Sequence, residues 1–163
     1  MMKRIVVLLA LALLVPASAF AAGAAVTSYG LRAGFSTSPD QLVLGGQMAV
    51  SDIAPSISFD PNVEFGFGDS ETVIAFNLDL HYHFALRNTS WSPYIGAGAG
   101  INFFSVDVPP GFPGDNTFTE VGGNIILGAS VPTKSGHDFF GEMKLGLGDI
   151  PSFKLLAGLN FGH

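Results

Sequence analysis

Residues 72–84, TVIAFNLDLHYHF, alternate along their whole length. Thr72, Ile74, Phe76, Leu78, Leu80, Tyr82 and Phe84 share one face of an extended strand; Val73, Ala75, Asn77, Asp79, His81 and His83 share the other. Successive strand side chains point to opposite faces, so one side is apolar and the other grows polar toward its end. A helix would scatter the same residues around its circumference. The fold turns on which face meets water and which meets something apolar.

The same alternation recurs on both sides of this stretch. Residues 27–36 set Tyr29, Leu31, Ala33 and Phe35 against Gly30, Arg32 and Gly34, and residues 41–51 set Leu42, Leu44, Gly46, Met48 and Val50 against Gln41, Val43, Gly45, Gln47 and Ala49. Residues 57–68 keep parity across Pro61, where the missing N–H predicts a bulge or local break. Residues 93–104, PYIGAGAGINFF, put Gly96, Gly98 and Gly100 on one face, as expected where there is no room for side chains. Residues 118–131, 138–148 and 153–162 complete the set. Eight strands joined by local turns close most simply as an eight-stranded antiparallel up-and-down barrel.

Composition says where such a barrel belongs. Hydrophobic residues make up 48% and charged residues 12%, against roughly a quarter charged in a soluble domain. Beyond the N-terminal leader no apolar run is long enough for a membrane helix, so the apolarity is delivered in alternation. A bilayer offers no partner to an open peptide group, and only helices and closed barrels span it. About 12 residues at roughly 3.3 Å each, tilted about 40°, rise near 30 Å, the thickness of the hydrocarbon core. The expectation is an all-β transmembrane barrel.

The leader agrees. Lys3 and Arg4 precede an apolar run over residues 5–15, then Pro16 and small residues. Ala19-Phe20-Ala21 supplies a small-x-small site, giving a signal peptide over residues 1–21 and a barrel domain over residues 22–163; Ala17/Ala19 is an alternative cleavage site. Removing the leader takes two cations, leaving five basic residues against 13 acidic, a net charge of -8. That excludes a basic surface for nucleic acid. No cysteine is present, so neither disulfides nor thiol chemistry contribute.

Soluble barrels of the lipocalin or avidin kind also alternate, with the apolar face inside around a ligand. The aromatics argue for lipid outside. With the first strand rising from the periplasm, Phe35, Phe67, Phe103, Phe118 and Phe153 fall near the outer end, and Tyr29, Tyr82, Phe84, Trp91, Phe139 and Phe161 near the periplasmic end. Two aromatic girdles around an aliphatic band suit a membrane barrel. A mere preference of aromatics for strands predicts no such sorting.

The segment SPYIGAGAGINFF resembles the fifth-strand motif of the small bacterial outer-membrane β-barrel domain family, the OmpA/OmpX-like and opacity-type proteins, and FKLLAGLNFGH resembles its terminal strand. The resemblance implies a Gram-negative outer-membrane protein with periplasmic termini, in contact with membrane lipid and lipopolysaccharide, assembled by the barrel-assembly machinery. Family members usually end on an aromatic that this machinery reads; here Phe161 is followed by Gly162 and His163. With no peptidoglycan-binding domain following, the chain is similar to the stand-alone members.

The inward faces would carry Arg32, Lys144 and Lys154 with Asp60, Glu64, Asp79, Glu120 and Glu142. Charges in a narrow lumen need partners, so structural ion pairs are expected and an open pore is not, although passage through rearranged pairs would make a narrow conduit. His81 and His83, two apart on one face, are candidate metal ligands with Asp79 or Asp60; spacing alone is a weak signal, and neither metal nor cofactor is expected. An acyl-transfer enzyme working at the outer leaflet needs a base beside a serine. The outer loops hold Ser36, Ser38, Ser70 and Ser152, while His81, His83, His137 and His163 all fall at the other end, which argues against an enzyme. Those loops carry Asp40, Asp69, Glu71, Asp107, Asp115 and Asp149 with no Lys or Arg, an acidic rim suited to sharing divalent cations with lipopolysaccharide phosphates.

Overall fold

The structure is a computed structural model describing residues 25–108 and 116–162. The leader, residues 109–115 and His163 lie outside the described residues. Eight strands follow one another: β1 (Ala25–Thr37), β2 (Gln41–Ala54), β3 (Ile57–Phe67), β4 (Glu71–His83), β5 (Ser92–Val106), β6 (Thr117–Pro132), β7 (Asp138–Gly148) and β8 (Phe153–Phe161). Each pairs antiparallel with the next, and β1 pairs with β8 to close the barrel. Closure leaves no free sheet edge. The starts of β2 to β8 agree with the alternation in the sequence to within one residue.

The barrel is apolar outside and charged inside. Leu31, Phe35 and Val121 are 65%, 66% and 66% exposed, while Glu64, Asp79 and Lys144 are at 1%, 0% and 0%. On β4, Val73, Ala75, Asn77, Asp79 and His81 are buried, and Leu78, Leu80 and Tyr82 are exposed, as the alternation requires. The end where β1 begins and β8 finishes also carries the β2–β3, β4–β5 and β6–β7 turns and is called the terminal end; the other four loops form the far end.

Glycine placement explains how so much side chain fits within. Across the β4–β5 ladder His81 faces Gly96, Asp79 faces Gly98 and Asn77 faces Gly100, and each polar side chain lies over the glycine opposite. On the next ladder Tyr94 faces Gly128 and takes the room a Cβ would need. Arg32 sits between Gly45 on β2 and Gly158 on β8.

Pro61 marks a local break and not a bulge: the β2–β3 ladder is unpaired from Gln47↔Asn62 to Val50↔Phe59 with the same register on both sides, while β3 pairs with β4 straight through the proline. Two expectations need correction. The register shift lies between Val50 and Ala54, where Val50, expected on the exposed face, is buried at 1%. Phe118 is not part of an outer girdle. It pairs with inward-facing Phe104 and stacks on it, centroids 4.7 Å apart and planes 4° off parallel, at the far mouth. Ile150 and Pro151 of the β7–β8 loop are also buried there, against Gly122 and Gly146. Their loop is tied down by Gly146 N–H to the Ser152 carbonyl (2.9 Å) and Ser152 N–H to the Thr37 carbonyl (3.1 Å).

A Cβ at Gly96 would lie 2.6 Å from His81 Cδ2 and 2.7 Å from the Leu80 carbonyl, whereas one at Gly141 would meet nothing within 4 Å. Gly96→Ala should therefore cost about 1–3 kcal/mol, and Gly141→Ala should stay within about 0.5 kcal/mol of wild type. Urea unfolding in detergent micelles, read by the fluorescence of the single tryptophan, Trp91, checks both.

Candidate functional site: the charged lumen

Seven of the eight charged residues expected inside are brought together. Arg32 Nη1 lies 2.9 Å from Glu64 Oε1 and 3.2 Å from Glu142 Oε1. Lys144 Nζ reaches Asp79 Oδ2 at 2.6 Å, Glu64 Oε1 at 3.3 Å and Glu142 Oε1 at 3.7 Å. Lys154 Nζ pairs with Glu64 Oε2 at 2.6 Å. Asp60 joins through His81, whose Nδ1 is 3.3 Å from Asp60 Oδ2. The exception is Glu120. It lies on the inward parity opposite Asn102, but it is half-buried near the far end and makes no ion pair among the described residues.

The register makes this arrangement unusual. Asp60 and Asp79 are direct partners on β3–β4, and Lys144 and Lys154 are direct partners on β7–β8. Like charges directly opposite are destabilising by themselves. In a ring of eight strands β3–β4 and β7–β8 stand on opposite walls, and the repulsion on each wall is relieved by reaching across. Lys144 and Lys154 cross to Asp79 and Glu64, and Arg32 on β1 links Glu64 to Glu142. A buried carboxylate or ammonium is costly unless paired and hydrogen-bonded, so the two walls depend on each other.

Uncharged groups that charge alone does not single out supply further hydrogen bonds to the network, although Asp79 Oδ1 is buried without a partner. Gln47 Oε1 accepts from Arg32 Nε at 2.7 Å, and Gln47 Nε2 donates to Asn160 Oδ1 at 2.7 Å. Asn62 Nδ2 donates to Asp79 Oδ2 at 2.7 Å, and Asn77 Nδ2 to Asn62 Oδ1 at 3.0 Å. Tyr94 hydroxyl donates to Glu142 Oε2 at 2.9 Å. Arg32 also sits over the buried Phe140 ring, 5.6 Å from its centroid. Inward parity was the signal for all of these.

The histidine pair does not converge on a metal. Its ring centroids are 6.3 Å apart, Tyr94 stacks on His81, and Nδ1 of His81 is turned to Asp60. Among the described residues no group of three or more His, Asp or Glu could hold a metal ion. Nor do Ser58, Asp60 and His83 form a nucleophilic triad, although Ser58 Oγ is 3.0 Å from His83 Nε2. The Ser58 hydroxyl donates to Asp60, so that carboxylate engages the serine directly instead of orienting the histidine.

Inside, a partly open cavity between Ser36, Gln41, Glu64 and Lys154 measures about 10 Å³, about one water. Outside, an apolar hollow of about 510 Å³ runs over Leu31, Ala33, Leu44, Ala157 and Leu159.

No family model matches the chain, and no curated protein matches it in sequence. Its fold is similar to solved structures. The N-terminal β-barrel domain of Pseudomonas aeruginosa OprF superposes with a TM-score of 0.69 at 12% identity, covering 84% of this chain and 96% of that one. Neisserial surface protein A (NspA) gives 0.64 at 15% identity, covering 86% and 99%. The outer membrane enzyme PagL gives 0.50 at 12%, covering 83% and 99%. At these identities the likeness is one of fold: the chain has the closed eight-stranded architecture of small outer-membrane barrels.

Removing the central cation while keeping its volume tests the network. Lys144→Met leaves Asp79 and Glu64 short of a partner and should cost about 3–5 kcal/mol. Glu120→Gln, outside the network, should stay within about 0.5 kcal/mol. Urea midpoints of the two variants in micelles decide it.

Proposed function

We propose that this chain is a small outer-membrane β-barrel protein of a Gram-negative envelope, with a structural or surface-interaction role and no catalytic one. The observation that carries the reading is the inversion of polarity. An outer wall with Leu31, Leu78, Val121 and Leu147 more than half exposed suits hydrocarbon, and the fully buried Glu64, Asp79 and Lys144 occupy the place where a soluble ligand-binding barrel keeps its apolar pocket. On this reading the chain is delivered by its leader, both termini face the periplasm, and the barrel-assembly machinery inserts it. The described acidic residues of the far end, Asp40, Asp69, Glu71, Asp107 and Asp149, then lie toward lipopolysaccharide.

The crossed lumen supports a filled barrel over a conduit. Arg32, Lys144 and Lys154 are each 3% exposed or less, and their ion pairs span the interior from wall to wall. The hydrogen-bonded Ser58, Asp60 and His83 lie inside the terminal end, where they lack a triad's order.

Two measurements test the proposal. The expressed protein should fractionate with the outer membrane and change gel mobility on heating; quantitative recovery from soluble periplasm would sink the membrane reading. In planar bilayers the purified barrel should give no steady unitary current. Regular single-channel steps would replace the structural role with transport.

A further inference from the structure

The buried charges of the lumen do not balance. Arg32, Lys144 and Lys154 face four carboxylates, those of Asp60, Glu64, Asp79 and Glu142, all within 5% exposure. The remaining basic side chain buried among them is His81, 4% exposed. Its Nδ1 is 3.3 Å from Asp60 Oδ2 and its Nε2 is 3.8 Å from Glu142 Oε2. Nε2 has no hydrogen-bond partner, although it is buried. A neutral imidazole has one N–H and one lone pair, so either tautomer aims a lone pair at a carboxylate oxygen; the imidazolium presents N–H to both. Tyr94 from β5 stacks on the ring, centroids 4.6 Å apart and planes 20° off parallel, and holds it in that orientation. The same stacking favours a cation on the face of the phenol ring.

A chain of exchangeable groups leads from this ring to the terminal mouth. Asp60 Oδ2, the oxygen facing His81, also accepts from the Ser58 hydroxyl. Ser58 Oγ is 3.0 Å from Nε2 of His83, which is half-buried at the end of β4.

We propose that Asp60, His81 and Glu142 form a proton-binding site, loaded from water at the terminal end through His83 and Ser58. In the loading step His83 gives its Nε2 proton to Ser58 Oγ as the Ser58 hydroxyl proton passes to Asp60 Oδ2, and Asp60 passes it to His81 Nδ1; His83 regains a proton from water. No other bond changes, and the net uptake is one proton. The loaded ring is the fourth cation against four carboxylates. The groups facing it are Asp60 and Ser58 on β3, His83 on its own strand, Tyr94 on β5 and Glu142 on β7, with Arg32 and Lys144 behind Glu142. Loading therefore sets whether Glu142 is shared by three cations or two. The site works the same whatever covers the outer wall.

The test is ¹⁵N NMR of the histidine rings of the full chain, folded in micelles and followed through pH, with His81→Gln assigning the signal. Should that variant fail to fold, a variant with His83, His137 and His163 all replaced by Gln leaves the His81 ring as the one remaining histidine signal. The His81 ring should pass from one bound proton to two on acidification, and the Glu142 carboxyl signal should shift with it. A ring that stays singly protonated until the barrel unfolds overturns the site. In Ser58→Ala the same end states should be reached with slower proton exchange at His81; an unchanged rate overturns the route.

Discussion

Ion pairing across the lumen is the constraint on which the rest of this barrel depends. One wall brings two aspartates face to face, Asp60 and Asp79, and the opposite wall brings two lysines face to face, Lys144 and Lys154. Neither rung is favourable alone, and each becomes so when the ring closes and the walls reach each other. Closure thus satisfies the edge strands and the buried charges together. The pairing of β1 with β8 also places Arg32 where it can join Glu64 to Glu142.

This interior dictates the glycine pattern. A ring of eight strands has little room, and Asn77, Asp79, His81, Tyr94 and Arg32 are all accommodated because glycines stand opposite them. The arrangement is a division of labour between neighbouring strands. β4 supplies polar side chains, and β5 supplies backbone for them to lie on. The outer wall carries none of this burden and is free to be uniformly apolar, the property on which the proposed membrane role rests.

Much of this could be read from residues alone, because a strand has period two and a closed barrel has only an inside and an outside. Parity placed all but one of the charged residues in the network and located the glycine face of β5. It erred where something other than period decides. Glu120 keeps the right parity but lies too near the rim to meet a cation. Phe118 reads as an aromatic at a strand end, yet its parity turns it onto Phe104. Pro61 withholds a donor and breaks the β2–β3 ladder as expected, but the register shift falls beside Ala54, where nothing in the residues marks it. Parity also puts Tyr94, Phe140, Gln47 and the asparagines inside, but a search for charge gives them no role, because it ignores the neutral groups that bond to each charge or pack against it. Ile150 and Pro151 sit in a turn, and periodicity says nothing about a turn folding inward.

On the proposed membrane role, the two faces of each strand meet opposite environments, hydrocarbon outside and the protein's own charges within. Nuclear Overhauser contacts between detergent or lipid acyl protons and the folded barrel test this most directly. Leu31, Leu78, Leu80, Leu145 and Leu155 should each show acyl-chain contacts, and Asn62, Asp79, Asn102 and Lys144 should show none. Water contacts along the leucines without acyl contacts, or acyl contacts inside the barrel, would contradict it.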